Sequence, residues 1–205
     1  MTGNRRFRAA ILLAAGMAGA LQAATCYVAT NGTSVSPFNS WQTAATNIHD
    51  AVALAGSGDA VLVGDGAYRL TNTLVVAANL SIQSANGPAA TTLYRDAAAG
   101  SFGLFTVSQS GALVAGFTMT NGYPASGNGS AVNITAGTVS NCVIAKCTTS
   151  GAGGNDVDVS GSAVVVDSTI TSVRRVRTAW WWFRPAWSGA AGFTATREGH
   201  GRTRS

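Results

Sequence analysis

Ionisable side chains are scarce in this chain of 205 residues: Asp, Glu, Lys and Arg make up 10% of it, against about a quarter in an ordinary soluble protein. Lysine occurs once (Lys146), glutamate once (Glu198) and histidine twice, His49 and His200, at opposite ends. Cysteine is limited to Cys26, Cys142 and Cys147, with no C-x-x-C spacing and no nearby histidine, so the sequence assigns no zinc site. Three is an odd count, so at least one thiol is free or pairs outside the chain. Cys142 and Cys147, five apart in strand-like sequence, can also serve as small hydrophobes in a stacked core. No apolar run reaches the roughly 20 residues of a membrane-spanning helix. What fills the chain instead is glycine, 25 residues of it, with Ala, Ser, Thr and Asn.

The formal charge of +5 is carried at the ends. Residues 1–23 hold Arg5, Arg6 and Arg8 and no acid, and 174–205 hold seven Arg against Glu198. The middle, 24–173, has only Arg69, Arg95 and Lys146 against seven Asp. A nucleic-acid surface would need its cations on the folded body, so no nucleic-acid partner is expected. The basic start, the apolar stretch Ala9–Leu21 and the small-residue exit Gln22-Ala23-Ala24-Thr25 have the layout of a secretory signal peptide, 1–23, cleaved after Ala23 or Ala24. The mature chain is then expected to be secreted, periplasmic or at the cell surface, with no transmembrane segment.

Within 24–59 a short extended piece, Cys26–Thr30, precedes a turn-rich stretch, and Ile48, Ala51, Val52 and Ala55 mark one apolar helix face that Gly56 and Gly58 can end. From residue 60 the chain reads as short β-branched runs between turn-formers: 60–63, 73–76, 80–83, 91–94, 104–107, 113–120, 131–135, 139–145 and 164–171. A repeat separates this from a sandwich. Val114-Ala115-Gly116-Phe117-Thr118-Met119 returns 25 residues on as Val139-Ser140-Asn141-Cys142-Val143-Ile144, and then as Val165-Val166-Asp167-Ser168-Thr169-Ile170. Such a period without a helix per repeat predicts an all-β solenoid, a parallel β-helix, with the aligned apolar positions stacked inside. The Asn/Asp position is expected at a turn.

The run Trp41–Gly66, with Asn47-Ile48-His49-Asp50-Ala51-Val52, Gly58-Asp59-Ala60-Val61-Leu62-Val63 and Gly64-Asp65-Gly66-Ala67-Tyr68, resembles the opening of secreted bacterial right-handed parallel β-helix proteins of the pectin-lyase-like superfamily. The resemblance spans about 26–172 and implies an N-terminal capping helix followed by coils over 60–173, with room for four or five. It leaves function open between a structural or adhesive, polysaccharide-binding surface protein and a polysaccharide lyase or glycoside hydrolase whose active site lies in missing coils.

No catalytic residue is assigned. Asp156 and Asp158, two apart, would share a face on a strand, with Asp167 one coil on, and calcium is the cofactor such a cluster could take; solvated turn acids are the alternative. Gly151–Asp156 matches a glycine-rich calcium repeat only once and in part. Asp59 and Asp65 follow glycine in turns, Arg69, Arg95 and Lys146 are the cations available to a lyase, and His49 is read as an exposed helix residue. Asn31, Asn128 and Asn133 head glycosylation sequons.

From Arg174 the composition breaks: four of the five Trp and no Asn, Asp, Ile or Leu. Trp180-Trp181-Trp182 requires the codons TGG-TGG-TGG, which encode glycines one nucleotide later. The tail 174–205 therefore reads as an out-of-frame end to a truncated β-helix, and the product as aggregation-prone or non-functional. A basic aromatic tail that binds membrane or polysaccharide is the alternative.

Overall fold

The computed structural model describes residues 23–125, 129–149 and 156–171, together with the backbone of 177–178 and 194–195. The leader 1–22, most of the tail, the sequon at Asn128 and Gly151–Asn155 lie outside the described residues.

Three sheets, all parallel, are stacked from strands that the chain visits in rotation. The first holds β1 (Thr25–Val28), β2 (Ala60–Val63), β5 (Ser81–Ser84), β8 (Leu113–Ala115), β11 (Thr138–Ser140) and β14 (Val164–Val166). The second holds β3 (Gly66–Leu70), β6 (Thr91–Arg95), β9 (Thr118–Thr120), β12 (Val143–Ala145), β15 (Thr169–Ile170) and β17 (Thr194–Ala195). The third holds β4 (Leu74–Val76), β7 (Phe105–Val107), β10 (Val132–Ile134), β13 (Val157–Val159) and β16 (Arg177–Thr178). This is consistent with a parallel β-solenoid. Among the described residues there is one α-helix, α1 (Ile48–Leu54).

The registers show why the sequence repeats. Cys26, Val61, Ile82, Val114, Val139 and Val165 are successive partners along the first sheet, and Tyr68, Leu93, Met119, Ile144 and Ile170 along the second. Leu74, Phe105, Val132 and Val157 make the third row. Nearly all of these side chains are buried, so each turn of chain covers the apolar row of the one before.

Three predicted strands are corrected by the same repeat. The runs 113–120, 139–145 and 164–171 each break into two strands on different sheets, and the break falls at Gly116, Asn141 and Asp167, with φ of 81°, 49° and 49°. A left-handed residue turns the chain sharply, and Gly, Asn and Asp tolerate it best. The residues that follow, Phe117, Cys142 and Ser168, stack inside the corner. β3 and β13 are absent from the predicted strands: β3 opens with a glycine behind Asp65, and β13 is three residues long with Asp158 at its centre, so neither shows a clear apolar alternation.

Helix α1 closes the start of the stack. Asn47 caps it by accepting a hydrogen bond from the His49 backbone N–H at 3.0 Å. Ile48 and Ala51 are buried, with Val52 and Ala55 packed beside them, as the spacing predicts. In the first turn of the stack, the Tyr68 hydroxyl donates to the Gly64 carbonyl at 3.0 Å and Gly66 takes φ 136°. A Cβ at Gly66 would lie 2.7 Å from the Thr30 side chain, which explains the glycine.

Candidate functional site

The acids singled out in the sequence do not come together. Asp156 precedes β13 and is fully buried, accepting from the Ser130 hydroxyl at 3.1 Å, whereas Asp158 lies half-buried at the outward position of β13. Asp156 is thus neither a solvated turn acid nor a face-mate of Asp158. Asp167 sits at the left-handed corner between the first and second sheets, away from the third sheet that carries Asp158. Among the described residues no three His, Cys, Asp or Glu side chains are grouped to hold a metal. The three acids therefore do not form the convergent oxygen set that a hard cation requires.

The cations are equally dispersed. Lys146 is exposed on a left-handed corner (φ 53°), and Arg69 reaches back to Asp96 at 3.2 Å. Arg95 is buried: its Nε donates to the Asn121 carbonyl at 2.8 Å and its Nη1 to the Gly100 carbonyl at 2.6 Å, and its guanidinium lies against the rings of Phe102 and Tyr123. It ties two long excursions together and presents no free charge to solvent. His49 is half-buried rather than exposed, with its Nε2 enclosed and without a hydrogen-bond partner. Cys26, Cys142 and Cys147 are all unpaired and buried. Burial pushes the Cys142 thiol up to about 11 and the Cys147 thiol to about 12, so neither is a nucleophile near neutrality.

Among the described residues, a broad concavity lies on the first shoulder, where the segment after β1 meets the corner between the first and second sheets. It is an open groove of about 760 Å³. Trp41 forms one wall, 44% exposed, which is unusual for so large an apolar ring. Its indole is fixed from behind by Tyr27, edge to face at 4.7 Å between centroids, and its rim rests on Gly64, where a Cβ would lie 3.1 Å from the ring. Opposite stand Asp65, between β2 and β3, and Asn86, between β5 and β6, joined by an Asn86 Nδ2 to Asp65 Oδ1 hydrogen bond of 2.9 Å. Asn31, Thr33 and Gln42 complete the rim.

In the sequence Asp65 stands out only as a turn acid and Trp41 only as the edge of a resemblance. The signal for a site was a lone tryptophan in a segment of neutral polar residues; its partners, 23 to 45 positions downstream, are brought to it by the stacking of two turns of chain. No family model, curated protein or solved structure matches the chain.

Proposed function

We propose that the chain is an exported, right-handed parallel β-helix of the pectin-lyase-like kind whose first shoulder binds neutral polysaccharide in a structural or adhesive role. The observation that carries this reading is the groove of Trp41, Asp65 and Asn86. A fixed, half-exposed indole offers an apolar face to the C–H face of a sugar ring, and the amide and carboxylate opposite offer acceptors and donors for its hydroxyls. The volume lies within the roughly 300–1,000 Å³ of small-ligand sites, and the groove is open to solvent. The dispersion of Asp156, Asp158, Asp167, Arg69, Arg95 and Lys146 favours binding over cleavage, since acid–base chemistry on a glycosidic bond needs two ionisable groups at a set separation.

Titration calorimetry with neutral oligosaccharides of xylan, glucan and galactan type tests this. Binding is expected to at least one, weakened about tenfold or more in Trp41→Ala. Absence of binding to all of them, or unsaturated products released from pectate with calcium, overturns the reading.

A further inference from the structure

At the edge of the first sheet, Asp59 uses its two carboxylate oxygens to hold two separate pieces of backbone. Oδ1 accepts from the Ala24 N–H at 2.8 Å and Oδ2 from the Gly56 N–H at 2.7 Å. Ala24 is also where the parallel ladder begins: its carbonyl accepts from the Ala60 N–H at 2.8 Å, one step before the Thr25–Ala60 pair that opens β1 against β2. Asp59 thus joins the start of the first sheet to the turn that follows helix α1.

The position of Ala24 is the telling fact. It is the residue that follows the first of the two cleavage points read from the sequence. We propose that removal of the leader after Ala23 turns the Ala24 amide into an α-ammonium received by Asp59, making Asp59 the docking group for the processed N-terminus; this rests on the export reading above. The step is hydrolysis of the Ala23–Ala24 peptide bond by water at a leader peptidase. The new carboxylate departs on Ala23, and the new amine takes up a proton. The bond from an uncharged N–H to the carboxylate becomes one in which donor and acceptor are both charged, an ion pair as well as a hydrogen bond. Cleavage one residue later would remove both the donor to Asp59 and the acceptor for Ala60, so the fold is complementary to one of the two ends and not to the other.

The surroundings leave this pair without competitors. The hollow of about 440 Å³ beside it is lined by Leu54, Pro37 and Asn39, and its other titratable groups are Cys26 and Tyr27. Cys26 is kept as a neutral thiol, since burial and then the Asp59 charge push its pKa up. The two backbone donors hold the Asp59 carboxyl below its ordinary value, as a receptor for a cation requires.

The full chain, expressed in an exporting host, gives the test. Mass spectrometry of the exported protein is expected to find Ala24 as the first residue. A retained leader overturns the export reading and the proposal with it, whereas a first residue at Thr25 or beyond overturns the proposal alone. With Ala24 first, pH-dependent acylation of the α-amine is followed by peptide mapping, which Lys146, the only lysine, does not confuse. Its pKa is expected above the ordinary value of about 8 and back at it in Asp59→Asn. Acetylating the α-amine of the unaltered protein, which needs no variant, is expected to lower Tm by about 1–3 °C, and where Asp59→Asn folds the same acetylation is expected to change nothing in it. An unshifted amine, or an equal effect of acetylation in both proteins, overturns the docking.

Discussion

His49 occupies the second position of a seven-residue helix, where its ring is half-buried against the start of the stack and its Nε2 is enclosed without a partner. Burial lowers its pKa from 6.5, against a smaller opposing pull from Asp50. The unfolded chain therefore binds a proton at a pH where the folded chain does not. The stability contributed by a neutral His49 is full above pH 6.5 and is lost as the pH falls from 6.5 through the lower folded value. Chemical denaturation across pH 5–7.5 is expected to show this decline, and His49→Gln to flatten it. Asp59, also lowered, acts in a separate window that opens only below 3.8. Single residues likewise decide the corners: Gly116, Asn141 and Asp167 take left-handed φ values that a β-branched residue would adopt only at a cost of about 1–3 kcal/mol.

Between the first and second sheets the later connections are two residues long, whereas those from the second sheet to the third run through 96–104, 121–131 and 146–156. Backbone bonds such as Tyr123 N–H to the Phe102 carbonyl and Thr148 N–H to the Gly122 carbonyl, both 2.9 Å, join the described parts of successive excursions, and side chains add further ties. Arg95 supplies one: it stands opposite Leu70 in the register, and its fork bonds carbonyls from two excursions while Asn121 Nδ2 returns a bond to the Arg95 carbonyl at 2.9 Å. Truncation would leave two carbonyls without their donor and a gap beside Phe102 and Tyr123. Arg95→Ala is expected to cost about 2–4 kcal/mol in urea unfolding. Arg69→Ala, which breaks an ion pair whose arginine is 61% exposed, should cost under about 1 kcal/mol. Equal effects from the two would show that the clasp is not what anchors the excursions.

For the molecule as a whole, stability is a sum over stacked turns, because each apolar row is covered only by its neighbours. The thiols report on that stack at two heights: Cys26 in the first row, and, in one later turn of chain, Cys142 inside the corner between Phe117 and Ser168 and Cys147 just beyond β12. Native protein at pH 8 is expected to resist alkylation at all three and to react fully in denaturant, with native labelling rates set by opening of the stack. Fast labelling of Cys142 alone would mean that the corner opens without the rest.

The spacing of Ile48, Ala51, Val52 and Ala55 made the helix legible, and the repeat of Val, a turn residue and Ile pointed to the solenoid class, because a stacked core demands the same residue type at the same place in every turn of chain. The repeat also placed the turn at Asn141 and Asp167. It could not say that each such run is two strands on two sheets, since a left-handed residue between β-branched neighbours is invisible to alternation. Nor could it bury Asp156 against Ser130, enclose Arg95, or set Asn86 and Asp65 opposite Trp41, because those contacts join residues one or more turns apart. Local pattern determined which residues point inward. The lengths of the excursions, which obey no period, decided which polar groups meet, and that only the tertiary structure holds.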